Sequence, residues 1–132
     1  MLGDMSESRR RRILVVDDDP DTLLVIGETL SARGFELLEA RDGQVALAVA
    51  EAAPGPIDLL VTDLVMPYVG GFGLAKRLRE TRPDLRVLYV TGYGPGSSAR
   101  AGEPNGDFLQ KPFTLEELCE RVDRALLRGV AA

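Results

Sequence analysis

The stretch ILVVDDDPD, residues 13–21, joins two opposed signals. Its first four residues form a compact, β-branched apolar run that reads as a buried strand. Three consecutive aspartates then stand at the tip of that strand, where like charges repel and ionisation becomes costly. Asp19 has a local explanation: followed by Pro20, it reads as an N-cap with proline at the first helical position. Asp17 and Asp18 can be turn residues, yet a turn does not need two adjacent acids. A partner that offsets their repulsion is therefore sought elsewhere in the chain.

Outward from this stretch, short apolar runs alternate with helical patterns. A helix is expected from residue 20 to about 33, with Leu23, Ile26 and Leu30 inward and Gly34 as its stop. Residues 35–40 read as a second strand. Asp42 caps a helix through residue 53, with Val45, Leu47, Ala48 and Ala52 available for packing, and Pro54-Gly55-Pro56 breaks it. Residues 57–62 read as a third strand and 66–71 as a loop. Residues 72–81 follow as a helix closed by Pro83, and 86–90 as a fourth strand. Residues 108–110 form a short fifth strand and 114–127 a last helix. There Thr114 and Glu117 make a capping box, and Leu115, Leu118, Val122 and Leu126 share a face beside Cys119. Between the fourth and fifth strands, GYGPGSSARAGEPNGD (residues 92–107) has poor helix propensity, so a shortened or irregular fourth helix is expected.

This alternation predicts an α/β fold with a parallel sheet covered on both faces. Five strands suit the flavodoxin-like, doubly wound (βα)5 order 2-1-3-4-5, whose ligands bind beyond the carboxyl ends of the strands. The chain of 132 residues is about the size of one domain. The organisation expected is a tail at 1–11, a folded unit at 12–128 and a second tail at 129–132.

On that topology four strand ends carry polar groups: Asp17 and Asp18 after the first, Asp63 after the third (LLVTDLVMP), Thr91 after the fourth (VLYVTGY) and Lys111 after the fifth (FLQKPF). Each alone has an ordinary explanation as a cap, turn or solvated residue. Neighbouring strands lie about 4.8 Å apart, so together the groups converge on one cleft. Three carboxylates without histidine or cysteine suit Mg²⁺ or Mn²⁺, which would offset their repulsion. With a lysine ammonium and a threonine hydroxyl they describe a site for a phosphoryl group. A carboxylate can itself be the nucleophile, and Asp63, the single acid on the central strand, is the best placed.

Composition removes other classes. The chain has no histidine, which excludes histidine catalysis and a phosphohistidine of its own. One cysteine excludes an intrachain disulfide and suggests a reducing cytoplasm. A net charge of −5 argues against nucleic-acid binding, and the four arginines at 9–12 read as a solvated end. No apolar run approaches the roughly 18 residues of a membrane span.

The four motifs, in this order and spacing, resemble those of the receiver domains of two-component response regulators, over about residues 12–128. The resemblance implies a CheY-like fold and Mg²⁺-dependent transfer of a phosphoryl group from a phosphohistidine to Asp63. The phosphohistidine would be that of a sensor histidine kinase or histidine phosphotransfer protein. The resemblance makes Asp17 and Asp18 the metal-binding acids, with Asp18 the more direct ligand, and adds the Val65 backbone carbonyl. Lys111 would pair with the phosphoryl group and Thr91 follow it on activation. Phe108 would be the rotating aromatic switch residue, and the Lys111–Pro112 bond is expected to be cis. The protein would act as a signalling phosphoacceptor that catalyses its own phosphorylation and dephosphorylation, switching a surface read by a downstream protein. It would be either a stand-alone regulator or one module of a hybrid kinase.

Two other readings use the same sheet. A haloacid-dehalogenase-like phosphatase would take Asp17 and Asp19 as its paired acids, with Asp17 the nucleophile. Asp21 then stands where that family wants Thr or Val, and no acidic motif follows Lys111. A flavodoxin-like binder of a nucleotide or flavin wants Ser, Thr and Gly after the first strand, where three aspartates would repel the phosphate.

Overall fold

A computed structural model of the chain describes residues 10–92 and 106–127. β1 (Arg12–Val16), β2 (Glu36–Ala40), β3 (Leu59–Asp63), β4 (Arg86–Thr91) and β5 (Asp107–Gln110) form one sheet. Its order is β2-β1-β3-β4-β5 and every pairing is parallel. The helices are α1 (Pro20–Ala32), α2 (Gly43–Ala52), α3 (Gly71–Arg79) and α4 (Leu115–Leu127). The expected flavodoxin-like, doubly wound architecture is the one observed. Residues 93–105, and with them the expected irregular helix, lie outside the described residues.

The pleat divides the core. Leu14, Val16, Leu60 and Tyr89 meet Ala46, Ala50, Leu74 and Leu78 of α2 and α3 on one face. Ile13, Val15, Val61, Leu88 and Val90 meet Ile26, Leu30, Leu118 and Val122 of α1 and α4 on the other. A period of two sends successive strand residues to opposite layers, so both layers draw on the same β-branched runs. Each fully buried Leu or Val contributes about 2 kcal/mol. Arg33 ties α1 to α4 across the second layer through a bidentate pair with Asp123 at 3.1 and 3.2 Å.

Two helix faces differ from the expected ones. In α2 the buried residues are Gly43, Ala46 and Ala50, while Val45 and Ala48 are exposed. The helix lies close against its neighbours: a Cβ on Gly43 would stand 2.8 Å from Cβ of Val69. Glycine and alanine make the closest approach there; Leu47 and Val49 pack against the same layer partly buried, and Val45 turns outward. In α4 Ala125 replaces Leu115 on the inner face. Leu115, in the first turn, is half exposed and lines a groove of about 520 Å³ with Val25, Pro112 and Phe113.

The caps follow the sequence. Asp19 accepts from Asp21 N and, at 2.6 Å, from Thr22 Oγ1. This second bond is the main reason its carboxyl lies below the usual range. Thr114 N donates to Glu117 Oε1 at 2.8 Å, and Glu117 N donates back to Thr114 Oγ1 at 3.0 Å. Asp42 accepts from Val45 N at 2.8 Å. Asp42→Ala is expected to lower stability by about 1 kcal/mol, read from the urea midpoint at unchanged slope. An unchanged midpoint would mean that α2 is held by packing alone.

Candidate functional site

The sheet edge where the order reverses is built from strand ends. Val16 is in register with Thr62, so the next residues, Asp17 and Asp63, leave adjacent strands side by side. Asp17 is 1% exposed and Asp63 9%, whereas Asp18 is exposed. Each of the three acids offers an oxygen, and these oxygens lie within 4.8 Å of one another. A hard, all-oxygen set of this kind could hold a divalent cation.

Lys111 reaches into the cluster from the end of β5. Its Nζ stands 3.4 Å from Asp17 Oδ2 and 3.6 Å from Asp63 Oδ2. Its backbone N donates to Thr91 O at 2.7 Å, tying the ends of β4 and β5 together. Thr91 is buried at the end of β4. The Lys111–Pro112 peptide is cis. The other oxygen of Asp17, Oδ1, accepts from Asp19 N at 2.9 Å.

Burial is the main cause that raises the carboxyl of Asp63, to about 6, with the charge of Asp17 second. Lys111 and a hydrogen bond from the Val65 backbone N–H oppose this. Burial also raises Asp17, against its bonds from Asp19 and Lys111. The acids are thus short of positive charge, which is the condition a bound cation relieves.

Behind the site, Tyr89 is fully buried, with Phe72 edge-on at 4.9 Å and Phe108 at 5.3 Å. Phe72 and Phe108 are both half-buried and lie 6.4 Å apart. The Phe108 carbonyl accepts from Arg121 NH1 of α4.

The model of the response regulator receiver domain family matches residues 13–123. The chain belongs to that family. Among curated relatives, the response regulator MprA of Mycolicibacterium vanbaalenii is 42% identical over 120 residues, 89% of this chain and 50% of its own. The sensor kinase CckA of Brucella abortus is 34% identical over 116 residues, 86% of this chain and 12% of its own. This receiver domain therefore spans half or less of those relatives. Among solved structures, the receiver domain of a hybrid histidine kinase CckA is 40% identical with a TM-score of 0.73, covering 87% of this chain and 98% of that one. The chemotaxis response regulator CheY4 of Vibrio cholerae is 29% identical with a TM-score of 0.79, covering 89% and 99%.

A receiver domain is the phosphoacceptor module of two-component signalling, and that is the role of this chain. The phosphatase alternative finds no support. The family match runs over residues 13–123, and Asp21 stands where that phosphatase wants Thr or Val. No helix among the described residues is long and apolar enough to cross a membrane.

The structure brings Asp17, Asp18, Asp63 and Lys111 together as the strand ends suggested. Two contributors were not visible in the sequence. One is the Val65 N–H, since a backbone donor has no letter of its own. The other is the direct Lys111–Asp17 pair at 3.4 Å.

Proposed function

We propose that Asp63 is the phosphoacceptor and that Asp17, Asp18 and Lys111 are its working partners. The observation that carries this is Lys111 Nζ placed between two buried carboxylates, 3.4 Å from Asp17 and 3.6 Å from Asp63. A carboxylate oxygen of Asp63 attacks phosphorus. The O–P bond forms as the P–N bond of a partner's phosphohistidine breaks, and the electron pair stays on the imidazole nitrogen, which takes a proton from solvent. Lys111 moves its ammonium from carboxylate to phosphoryl oxygen as charge builds there. Asp17, Asp18, Asp63 and the Val65 carbonyl would hold Mg²⁺, or Mn²⁺, which supplies charge neutralisation at the phosphoryl group.

Once formed, the acyl phosphate adds roughly −1.5 to −2 charge and new acceptor oxygens. The Thr91 hydroxyl donates to one of them, and Phe108, beside Tyr89, takes up the space that Thr91 leaves. In this reading the chain accelerates its own phosphorylation and dephosphorylation. The donor is a sensor histidine kinase or a histidine phosphotransfer protein, in the cytoplasm, and the switched surface is read by a protein rather than by nucleic acid. The working unit runs over residues 12–128; the tails expected at 1–11 and 129–132 lie, apart from residues 10 and 11, outside the described residues.

The test is intact mass after incubation with Mg²⁺ and a small acyl-phosphate donor. Wild type should gain one phosphoryl group and Asp63→Ala none. A gain that survives Asp63→Ala would overturn the assignment and point to Asp17.

A further inference from the structure

β3 carries one polar residue before Asp63. Thr62 is 0% exposed within a strand whose five residues are all buried. It shares register with Val16 and Tyr89, so its side chain belongs to the apolar layer beneath α2 and α3. Valine has the same shape and would fill that place without a hydroxyl. A buried hydroxyl is costly unless it is hydrogen-bonded. The bond that Thr62 makes is specific: its Oγ1 donates to the backbone carbonyl of Asp63 at 3.0 Å.

That carbonyl is confined from the other side. A Cβ on Gly71 would stand 2.7 Å from Asp63 O, 3.0 Å from Leu64 Cα and 3.3 Å from Thr62 Cγ2. The first residue of α3 is thus pressed against both the carbonyl and the threonine methyl. The other end of the same peptide unit, Leu64 N, donates to Val90 O at 2.9 Å. Both polar groups of the Asp63–Leu64 peptide are engaged, one by the sheet and one by Thr62. This peptide sets the direction in which the chain leaves β3. One residue further on, the Val65 N–H bonds the Asp63 carboxylate. A rotation about the Asp63–Leu64 unit would displace that donor and turn the carboxylate.

We propose that Thr62 is a positioning residue for the phosphoacceptor: its buried hydroxyl fixes the Asp63–Leu64 peptide and so aims the Asp63 carboxylate. The proposal rests on the reading of Asp63 as the acceptor. Thr62 does not touch the reacting atoms. Its effect appears in the rate of phosphoryl transfer and not in the stability of the fold, because Thr→Val exchanges a hydroxyl for a methyl that suits its apolar surroundings.

The experiment follows phosphorylation by intact mass against time, at saturating Mg²⁺ and saturating acyl-phosphate donor. Thr62→Val, Thr62→Ala, Thr62→Ser and Asp63→Asn are compared with wild type, and each is also unfolded in urea. Thr62→Val is expected to slow transfer roughly tenfold, with its urea midpoint unchanged or raised. Thr62→Ala, the second hydroxyl-free variant, should be slowed as much or more even though it leaves a small cavity. Thr62→Ser, which keeps the hydroxyl, should stay within about twofold of wild type. A wild-type rate in Thr62→Val, or a serine variant as slow as valine, overturns the proposal alone. Phosphorylation that persists in Asp63→Asn overturns the acceptor reading and the proposal with it.

Discussion

In the absence of divalent cations, Asp63→Asn is expected to raise the stability of the chain at pH 7 by about 2–3 kcal/mol. Burial and the neighbouring Asp17 lift the Asp63 carboxyl from 3.8 to about 6 in the folded protein. Between those values the folded state holds a proton that the unfolded state has released. Stability therefore falls as pH rises from about 4 through about 6, and levels off above. A shift of about two units corresponds to the figure given, at about 1.4 kcal/mol per unit. The side chain is only 12% exposed, so solvent screening removes little of it.

Asparagine mimics the protonated acid and takes no part in this titration. Urea unfolding with chelator at pH 5 and pH 7 should show wild type losing stability across the interval relative to Asp63→Asn. Groups remote from the cluster cancel in that double difference. Asp17, also raised by burial, adds a loss of the same sign to both proteins; because its charge acts on Asp63, the double difference belongs to the pair. Mg²⁺ should then stabilise wild type more than the variant. Equal pH dependence in the two proteins would mean that Asp63 is not held in the strained state described. A larger fall for the variant would mean that the wild-type Asp63 carboxylate stabilises the fold, through Lys111.

This functional cost explains why the site could be read from the sequence at all. Acidic residues at the ends of apolar runs are poor choices for folding, so they stand out: DDD after ILVV and a lone Asp63 between a largely apolar strand and the apolar run LVM. The parallel α/β class followed from the alternation of patterns, because short apolar runs and helical spacings differ in period, and the order was that of the flavodoxin-like arrangement which five such strands suit. What was not legible depends on three-dimensional closeness. The inner face of α2 is made of Gly43, Ala46 and Ala50, and alanine carries little information about which way it faces. Leu115 has helical spacing with Leu118 and Val122 but lies too near the start of α4 to reach the core. Thr62 reads as an ordinary strand residue, and only the 3.0 Å contact to the Asp63 carbonyl separates it from valine. The strain on Asp63 was partly visible, since three acids must meet somewhere. Its sign depended on Lys111 being unable to neutralise both Asp17 and Asp63.

Lys111→Ala should lower the rate of Asp63 phosphorylation on the order of 10²–10³-fold at pH 7. Two effects act in the same direction. The first is on the developing phosphoryl charge, which loses the one ammonium that the described residues place within 4 Å of Asp63 Oδ2. A preorganised cation in a poorly solvated site is worth far more than one in water. The second is on the nucleophile. Lys111 holds the Asp63 carboxyl down against burial and against Asp17, so without it a smaller fraction of Asp63 is ionised at neutral pH. The second effect is relieved by raising the pH and the first is not. Rates measured by intact mass between pH 6 and pH 9 should therefore rise more steeply for Lys111→Ala than for wild type, yet stay well below it at the top of the range. Lys111→Arg keeps the charge but replaces a compact ammonium with a planar fork, and should fall between the two. A Lys111→Ala rate within threefold of wild type would remove lysine from the transfer step. Full recovery at pH 9 would leave it the single task of keeping Asp63 ionised.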